Sequence, residues 1–279
     1  MKKIYVINLR GEKEPFSLKK VFNSARRAGA SEKLAQEIAS KIRDQAFPGI
    51  KTSEIFKKVK KFLRETDKKS GLRFGLKEAI RKLGPSGFPF EKYTSEIFAN
   101  QEFKILLNQK IRGKYAIHEI DFLAKKDKLL YVSECKFRQR AGERIDLSIV
   151  LMVWARFLDL NQGNYFKKFT EYTIKPIIIT NAKFTSQAIR YSNGMGIELL
   201  GWNYPKNRGL ERIIENKKLY PITILPSLTN YLMGIFSSQK MMLVKDILNL
   251  DLKIFSKKTK IKESKILPLV EEAKILLRD

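Results

Sequence analysis

The sequence predicts a mixed α/β (α+β) protein: a small helical module, a mixed sheet flanked by helices, and a helical C-terminal extension. Its 279 residues suit about two domains at the usual ~100–200 residues each. Apolar residues make up 43% of the chain, which supports packed cores. Helical apolar spacing recurs through residues 17–83, whereas short strand-like segments alternate with helices through residues 91–202.

The first module, residues 1–85, is expected to place a short hairpin over residues 3–17 in front of helices, with the turn at Gly11. Hydroxyl or glycine residues precede each run of helical apolar spacing. Four helices are therefore predicted to begin near Ser17, Ser31, Thr52 and Gly75. The run Gly84-Pro85-Ser86-Gly87, followed by Pro89, predicts the boundary to the next module.

The second module, residues 88–208, is expected to contain one helix, three strands, and then helix, strand, helix and strand. The predicted ranges are 91–101, 104–111, 115–124, 129–137, 145–160, 176–180, 185–192 and 197–202. This order indicates a mixed sheet with helices on both faces. Residues 209–279 are expected to be a helical, basic extension, in which residues 225–228 and 243–248 weakly suggest a helix–hairpin–helix-like unit.

The charge of the chain points to polyanionic partners. Lys and Arg number 56 against 29 Asp and Glu, a formal net charge of +27. The single cysteine excludes an internal disulfide and a Cys-rich zinc site. No apolar run reaches the ~18 residues of a membrane span, and no apolar block follows Met1, so we expect a cytoplasmic protein that does not partner a membrane.

Acidic residues and a lysine converge on the second and third predicted strands. Asp121 and Glu134 lie where adjacent strands can bring them together, and Lys136 follows Glu134 on the same face. Two carboxylates and the Cys135 carbonyl supply the hard oxygen ligands that Mg²⁺ or Mn²⁺ prefers. Such a set, with a cation beside the developing charge, suits phosphodiester hydrolysis.

Strict strand alternation divides the residues around Asp121 between two faces. Ile117, Glu119, Asp121 and Leu123 would share one face, and His118, Ile120 and Phe122 the other. Glu119 is then a possible neighbour of the site. His118, the only histidine, is either a packing residue or a site residue.

The alternative for these charges is an ordinary exposed hairpin with cross-strand ion pairs. The apolar flanks favour a site, because charges set among core residues are costly unless they are paired or bound to metal. Nearby polar and basic residues would suit phosphate contacts to DNA, or would form a solvated basic face. They are Lys110, Arg112 and Lys114 before the acids, and Arg138, Gln139 and Arg140 after them.

Residues 88–205 resemble the PD-(D/E)xK nuclease superfamily, with the Mrr-type restriction endonucleases as the most similar branch. The segments that carry the resemblance are Phe90-Glu91-Lys92-Tyr93, residues 118–121, Glu134-Cys135-Lys136-Phe137, residues 180–188 and Leu199-Leu200-Gly201-Trp202. The resemblance implies metal binding by Asp121, Glu134 and Glu91, with Glu96 a weaker substitute for Glu91, and makes Lys136 the catalytic lysine. Mrr relatives often have Gln in place of Glu134 and lack His118-Glu119.

Residues 3–85 resemble an ATP-cone, the allosteric nucleotide-binding module of ribonucleotide reductases. The matching positions are Val6, Gly11, Glu14, Phe16, Lys20, Val21 and residues 50–55. The resemblance implies a site for ATP or dATP in which Lys20 and Thr52 bind the nucleotide. The family has Lys-Arg-Asp where this chain has Asn8-Leu9-Arg10. Either a nucleotide site is retained, or the fold is kept for contacts with DNA or another subunit.

The combined hypothesis is a Mg²⁺-dependent DNA endonuclease that ATP or dATP gates through the first module. A homodimer through the apolar helix 145–160 would supply two sites for double-strand cutting. One alternative is a nucleotide-responsive DNA-binding regulator with a vestigial nuclease site. Another is a structure-selective nuclease acting on branched DNA or RNA.

Overall fold

The computed structural model describes residues 4–84 and 89–278. Within them the chain forms two compact units: one joins the chain up to Ile80 with the chain from Pro221 onward, and the other is Arg81–Tyr220. These limits differ from the three predicted modules, because the predicted C-terminal extension is divided between the two units. Pro85, Ser86 and Gly87 of the predicted boundary loop lie outside the described residues.

The N-terminal part of the first unit combines a small sheet with five helices among its described residues. The elements are β1 (Tyr5–Ile7), β2 (Lys13–Pro15), α1 (Leu18–Arg27), α2 (Glu32–Asp44), β3 (Ile50–Lys51), α3 (Thr52–Thr66), α4 (Lys68–Phe74) and α5 (Leu76–Arg81). Strand β1 pairs antiparallel with β2 and parallel with β3. The predicted caps are confirmed, since the side chains of Ser17 and Ser31 accept hydrogen bonds from the first turns of α1 and α2. The sequence did not predict β3 and α4, which are too short to show a clear period.

The second unit is built on a five-stranded mixed sheet. Its elements are α6 (Phe90–Ala99), β4 (Lys104–Arg112), β5 (Ile117–Lys126), β6 (Leu129–Lys136), β7 (Arg144–Ile145), α7 (Leu147–Gln162), β8 (Thr173–Thr180), β9 (Lys183–Phe184), α8 (Ser186–Met195), β10 (Glu198–Leu200) and α9 (Leu210–Asn216). The strand order is β10-β8-β6-β5-β4, with β4, β5 and β6 antiparallel and β6, β8 and β10 parallel. The predicted α/β class is confirmed, including a helix on each face of the sheet.

Helices α6 and α7 cover opposite faces of this sheet. On the α6 face, the Phe98 ring packs on Phe122 with centroids 5.6 Å apart. On the α7 face, Phe157 and Leu160 join a cluster of buried strand residues that includes Ile120 and Leu123. Burying one such apolar side chain stabilises the fold by roughly 1.5–3 kcal/mol. The two helices therefore fix the sheet between two apolar layers.

Helix α7 is apolar on nearly all sides but is buried on only one of them. Val150, Val153, Phe157 and Leu160 face the core. Leu151 and Leu158 remain 42% and 41% exposed. The outer face of this helix, through which a homodimer is predicted, therefore keeps an exposed apolar strip.

The chain from Pro221 onward is helical and packs within the first unit. It contains a 3₁₀ turn at Ile222–Ile224 and the helices α10 (Asn230–Ser238), α11 (Val244–Leu248), α12 (Leu252–Thr259) and α13 (Glu263–Leu277). The Thr223 hydroxyl donates a hydrogen bond of 2.8 Å to the Ala79 carbonyl, and the Lys69 ammonium contacts the Arg278 carbonyl. Both ends of the chain thus pack together in the first unit. None of the helices among the described residues combines the length and apolar character needed to cross a bilayer.

Candidate functional site

Strands β5 and β6 separate at Asp121 and form a fork. Their ladder runs from Lys126 opposite Leu129 to Phe122 opposite Ser133. The part of β5 before Asp121 continues along β4 instead. A strand that leaves its neighbour exposes main-chain donors of that neighbour, which must find other partners. The fork therefore creates a polar opening at one end of the sheet.

The prediction of strict alternation along β5 is wrong across Asp121. Phe122 packs toward α6 against Phe98, yet both Ile120 and Leu123 belong to the cluster on the α7 face. In a regular strand, Ile120 would share a face with Phe122 and oppose Leu123. The change coincides with the fork and with Asn108 on the neighbouring strand, whose φ of 50° is left-handed.

Asp121 fills the fork by bonding to the main chain of β6. The Cys135 N–H donates a hydrogen bond of 2.6 Å to the Asp121 carboxylate. Cys135 lies two residues beyond Ser133, the last residue of β6 in the ladder with β5. Burial raises the pKa of Asp121, and the carboxylates of Glu134 and Glu91 raise it further, against the opposing effect of the Cys135 bond and Lys136. The charges of Glu134 and Glu91 therefore act on Asp121, and a bound cation would relieve this repulsion.

Glu134 is buried and is held by two cations. Its carboxylate lies 2.5 Å from the Lys136 ammonium, and its second oxygen contacts the Arg156 guanidinium. Only 7% of the Glu134 surface is exposed, so these partners balance a charge that would otherwise be costly. Arg156 reaches across from α7 and also donates to the Glu119 carbonyl at 3.3 Å. The guanidinium thus ties α7 to both arms of the fork.

Helix α6 brings Glu91 to the site. The Thr94 hydroxyl lies 3.2 Å from the Cys135 sulfur, which sets the first turns of α6 against β6. Burial raises the pKa of the Cys135 thiol well above its usual value, and Asp121 adds to the rise, so the sulfur stays protonated. Cys135 can therefore contribute its main-chain carbonyl as a hard ligand but no thiolate.

Two predicted neighbours lie elsewhere. His118 places its Nε2 2.7 Å from the Asp159 carboxylate on α7, and this carboxylate also accepts hydrogen bonds from the Tyr115 and Ala116 N–H groups. Glu119 is exposed and pairs with Lys110 at 3.2 Å. Of the two interpretations left open for His118, the contacts therefore support a structural role.

The predicted DNA-contacting residues divide between two regions. Arg112 ends β4 and Lys114 follows it; both are exposed, near the turn that Asp159 holds. After β6, Arg138 is half-buried, and its main chain exchanges two hydrogen bonds of 2.8 Å with the buried Asn181 amide. Gln139 and Arg140 follow it on the surface. Asn181 thereby fixes the chain that leaves the acidic site.

Sequence reasoning missed Arg156 and Asp159, although their pattern carried a signal. They are the charged residues in the C-terminal half of an otherwise apolar helix. Charges on an apolar helix need partners from the surface that the helix covers. Here the partners are Glu134 for Arg156 and His118 for Asp159.

The oxygen donors at the fork match a hard divalent cation in chemistry. Among the described residues, no group of three His, Cys, Asp or Glu side chains has metal-holding geometry. Mg²⁺ is usually bound through one or two carboxylates, with water and substrate phosphate completing its shell. Asp121 and Glu134, with the Cys135 carbonyl, supply the donor types of that smaller set, and the charge of Glu91 adds to the negative potential at Asp121.

A pocket in the first unit gathers most of the predicted nucleotide-binding residues. Val6, Glu14, Lys20 and Thr52 all line a cavity of about 190 Å³. The rest of the lining is mostly apolar and aromatic, including Phe16, Phe56 and Phe74. Gly11 does not line this cavity: it forms the β1–β2 turn at a φ of 81°.

Asn8 occupies the polar end of the hairpin by binding acidic residues. Its amide donates to Glu14 at 2.7 Å and to Glu12 at 2.8 Å. Lys20 pairs with the other oxygen of Glu14 at 3.0 Å. The bond from Asn8 and the contact with Lys20 lower the pKa of Glu14. Lys20 therefore lines the pocket as a cation that already forms an ion pair with Glu14.

Comparison with known proteins finds a family match for each of the two chain segments that form the first unit. Residues 4–77 match the family model described as ATP cone domain, and residues 220–277 match the one described as AF1548-like, C-terminal. The predicted ATP-cone is thereby confirmed.

Two similar proteins have no assigned activity. An uncharacterized protein from Archaeoglobus fulgidus is 37% identical over 123 residues, which are 44% of this chain and 66% of that protein. The crystal structure of a protein of unknown function, AF1548, superposes with a TM-score of 0.56 at 28% identity, over 67% of this chain and 96% of that one. The chain thus spans slightly less than two thirds of the curated relative.

Proposed function

We propose that this chain is a metal-dependent DNA endonuclease whose activity responds to a nucleotide bound by its ATP-cone. The observation that carries the proposal is the convergence of Asp121, Glu134 and Lys136 at the fork, with Glu91 beside them. The net charge of +27 supports a nucleic-acid substrate. The resemblance of the same residues to Mrr-type nucleases supports the reaction class.

Each residue of the fork has a role in this proposal. Asp121 and Glu134 would hold Mg²⁺ or Mn²⁺, helped by the Cys135 carbonyl. When bound, such a cation polarises the scissile phosphate and lowers the pKa of a coordinated water. Lys136, 2.5 Å from Glu134, is positioned to stabilise negative charge that develops on the phosphate oxygens. Glu91 would orient water from the α6 side.

The ATP-cone supports regulation by a nucleotide. The pocket lined by Glu14, Lys20 and Thr52 would take ATP or dATP, with the aromatic lining against the base. A phosphate that approaches Lys20 must compete with Glu14 for the ammonium. We therefore infer that binding rearranges the hairpin β1–β2 and thereby signals occupancy.

The primary test is cleavage of supercoiled plasmid with and without Mg²⁺, run with ATP, with dATP and with neither. Asp121→Ala, Glu134→Ala and Lys136→Ala are each expected to abolish cleavage while DNA binding persists. Glu119→Ala is the matched control, because this acid lies on the same strand but pairs with Lys110 outside the fork. Wild-type rates in Glu134→Ala would rule out the assignment.

One observation favours a second candidate, a nucleotide-responsive DNA-binding regulator whose nuclease site is vestigial. Both carboxylate oxygens of Glu134 already contact protein cations, Lys136 and Arg156. Such a site is neutralised without metal. This candidate predicts shifted but uncut DNA in the presence of Mg²⁺. Branched DNA and RNA belong in the same assay, because the fork would serve those backbones equally well.

A homodimer would supply the two active sites that double-strand cutting needs. The exposed apolar strip of α7, with Leu151 and Leu158, is the surface we assign to this contact. Leu151→Glu is expected to shift the chain to monomers in sedimentation experiments. An unchanged sedimentation coefficient would place the contact elsewhere.

A further inference from the structure

A second polar cavity lies at the far end of α7. It has a volume of about 590 Å³ and is lined by Arg112, Lys114, Gln162, Asn164, Tyr165 and Lys168, together with two glycines. At ~30 Å³ per water molecule, this space admits a hydrated phosphodiester segment. We call it the basic cavity.

The charge of the basic cavity has one sign. Arg112, Lys114 and Lys168 line it, and none of its lining residues within 4–84 and 89–278 is acidic. In the part of the chain that the structure describes, none of these three cations forms an ion pair with a carboxylate. The Lys168 ammonium instead lies 4.0 Å from the centre of the Tyr165 ring, which holds it at the cavity without neutralising it. Gln162 and Asn164 add amide donors to the same wall.

The walls of the basic cavity are held by close main-chain contacts. A Cβ atom on Gly163 would come within 2.9 Å of the Arg112 carbonyl oxygen, and one on Gly113 would overlap the Asp159 carboxylate. The Lys114 N–H donates to the Asp159 carbonyl at 3.0 Å. The main chain of the turn that carries Arg112 and Lys114 is therefore fixed against the end of α7, so both cationic side chains start from the wall of the cavity.

Helix α7 also sets the distance between the basic cavity and the fork. Arg156 contacts Glu134 at the fork, and Gln162 lines the cavity six residues later. At 1.5 Å per residue, six residues span about 9 Å along the helix axis. A backbone phosphate in the cavity would therefore belong to a nucleotide that flanks the phosphate held at the fork.

We infer that the basic cavity binds the phosphodiester backbone of a nucleic acid, next to the phosphate held at the fork. This inference rests on the proposed nucleic-acid substrate and adds where its flanking strand lies. Long flexible cations and amide donors recognise phosphate oxygens, which carry no base sequence. The contact therefore positions the strand and does not select a sequence.

The test measures affinity for labelled DNA duplexes of unrelated sequence by fluorescence anisotropy over a series of salt concentrations, without divalent cation. The double variant Lys114→Ala/Lys168→Ala is expected to weaken binding to every sequence alike. The slope of log K against log salt should fall by about 2, since each lost phosphate contact removes about 0.9. The exposed pair Lys183→Ala/Lys206→Ala is the matched control, because neither residue lines the cavity.

The outcomes separate this inference from the proposed nuclease. An unchanged slope in the Lys114/Lys168 variant would overturn the inference, even if the wild type cuts DNA. A reduced slope would support it, even if no cleavage is ever seen. Titration of the wild type with inorganic phosphate and with ATP tests a small ligand: saturable binding that the double variant loses, together with an unchanged DNA slope, would also overturn it.

Discussion

The Arg156 guanidinium on α7 and the Glu134 carboxylate on β6 form an ion pair at the base of the fork, where a metal-binding acid is proposed. The Arg156 guanidinium therefore supplies, beside the buried Glu134 carboxylate, a positive charge that a metal ion would otherwise supply. A cation at the site would share Glu134 with Arg156 or displace it. The ion pair thus links the stability of the sheet to the chemistry proposed for it.

Removing Arg156 should make the second unit less stable and more responsive to Mg²⁺. In Arg156→Met, Glu134 keeps Lys136 but loses its second partner, and we expect a loss of about 1–3 kcal/mol in the free energy of unfolding. Added Mg²⁺ should then raise the Tm more in the variant than in the wild type. Thermal denaturation with and without Mg²⁺ measures both effects, with the exposed Arg144→Met as control. Equal Mg²⁺ responses would argue against metal binding at Glu134.

Asp121→Asn should stabilise the fold while it abolishes cleavage. Because burial and the neighbouring acids raise the pKa of Asp121, the folded state disfavours its charged form. The penalty is complete above the folded pKa and vanishes below the unfolded value of about 3.9. The Asn oxygen can still accept the Cys135 N–H. Melting curves should therefore show a higher Tm for the variant at pH 7 and no difference near pH 3, and a lower Tm at pH 7 would contradict the prediction.

Asp159→Asn should have the opposite dependence on pH. Burial acts to raise the pKa of Asp159, but the bonds from His118, Tyr115 and Ala116 outweigh it, so the pKa lies below its usual value. Its stabilising contribution is complete above the unfolded value of about 3.9 and is lost as the pH falls through the folded pKa.

The variant should therefore melt below the wild type at pH 7, and the two curves should converge at acidic pH. Denaturation from pH 7 to pH 3 measures the difference, and the exposed Glu171→Gln should follow the wild type throughout. A gap that widens in acid would mean that the contacts of Asp159 are not charge-assisted.

Lys20→Ala should remove nucleotide binding in the ATP-cone. Lys20 is the cation that lines the pocket, whereas its neighbour Lys19 does not line it. Calorimetry with ATP and dATP should give heat for the wild type and for Lys19→Ala, and none for Lys20→Ala. In the wild type, ligand at 100 times its Kd should stabilise the folded state by about 2.7 kcal/mol. No heat from either nucleotide in the wild type would remove the regulatory role and leave the nuclease proposal intact.

Much of the fold follows from local signals in the sequence. Ser17 and Ser31 predict the starts of α1 and α2, because their hydroxyls accept hydrogen bonds from main-chain N–H groups in the first turn. The strands of the large sheet were predictable because their apolar runs are long. The two-residue strand β3 was not, since Ile50 and Lys51 pair with β1 through a contact distant in sequence.

The sequence predicted which residues form the candidate site, but not the face of β5 on which each residue lies or the partner of Arg156. The spacing of Asp121, Glu134 and Lys136 indicated the set, because period-two geometry holds along β6. Period-two geometry fails along β5 at the point where β5 leaves β6, opposite the left-handed Asn108 on β4. Arg156 carried a signal as a cation on an apolar helix, but that signal did not specify which strand held its partner. Which strand residue an α7 side chain contacts depends on how the helix is placed on the sheet. That placement cannot be inferred from the pattern of a single sequence.

The assembly of the first unit from both chain ends has a consequence for the order of synthesis. Residues from Arg81 to Tyr220 form a unit that is continuous in sequence, and domains generally fold as units in the order of synthesis, so this unit is expected to fold before the chain from Pro221 leaves the ribosome. The Ala79 carbonyl, by contrast, accepts a hydrogen bond from the Thr223 hydroxyl, which is synthesised 144 residues later. The first unit is therefore completed last, so a nascent chain forms its fork before its ATP-cone packs against the C-terminal helices.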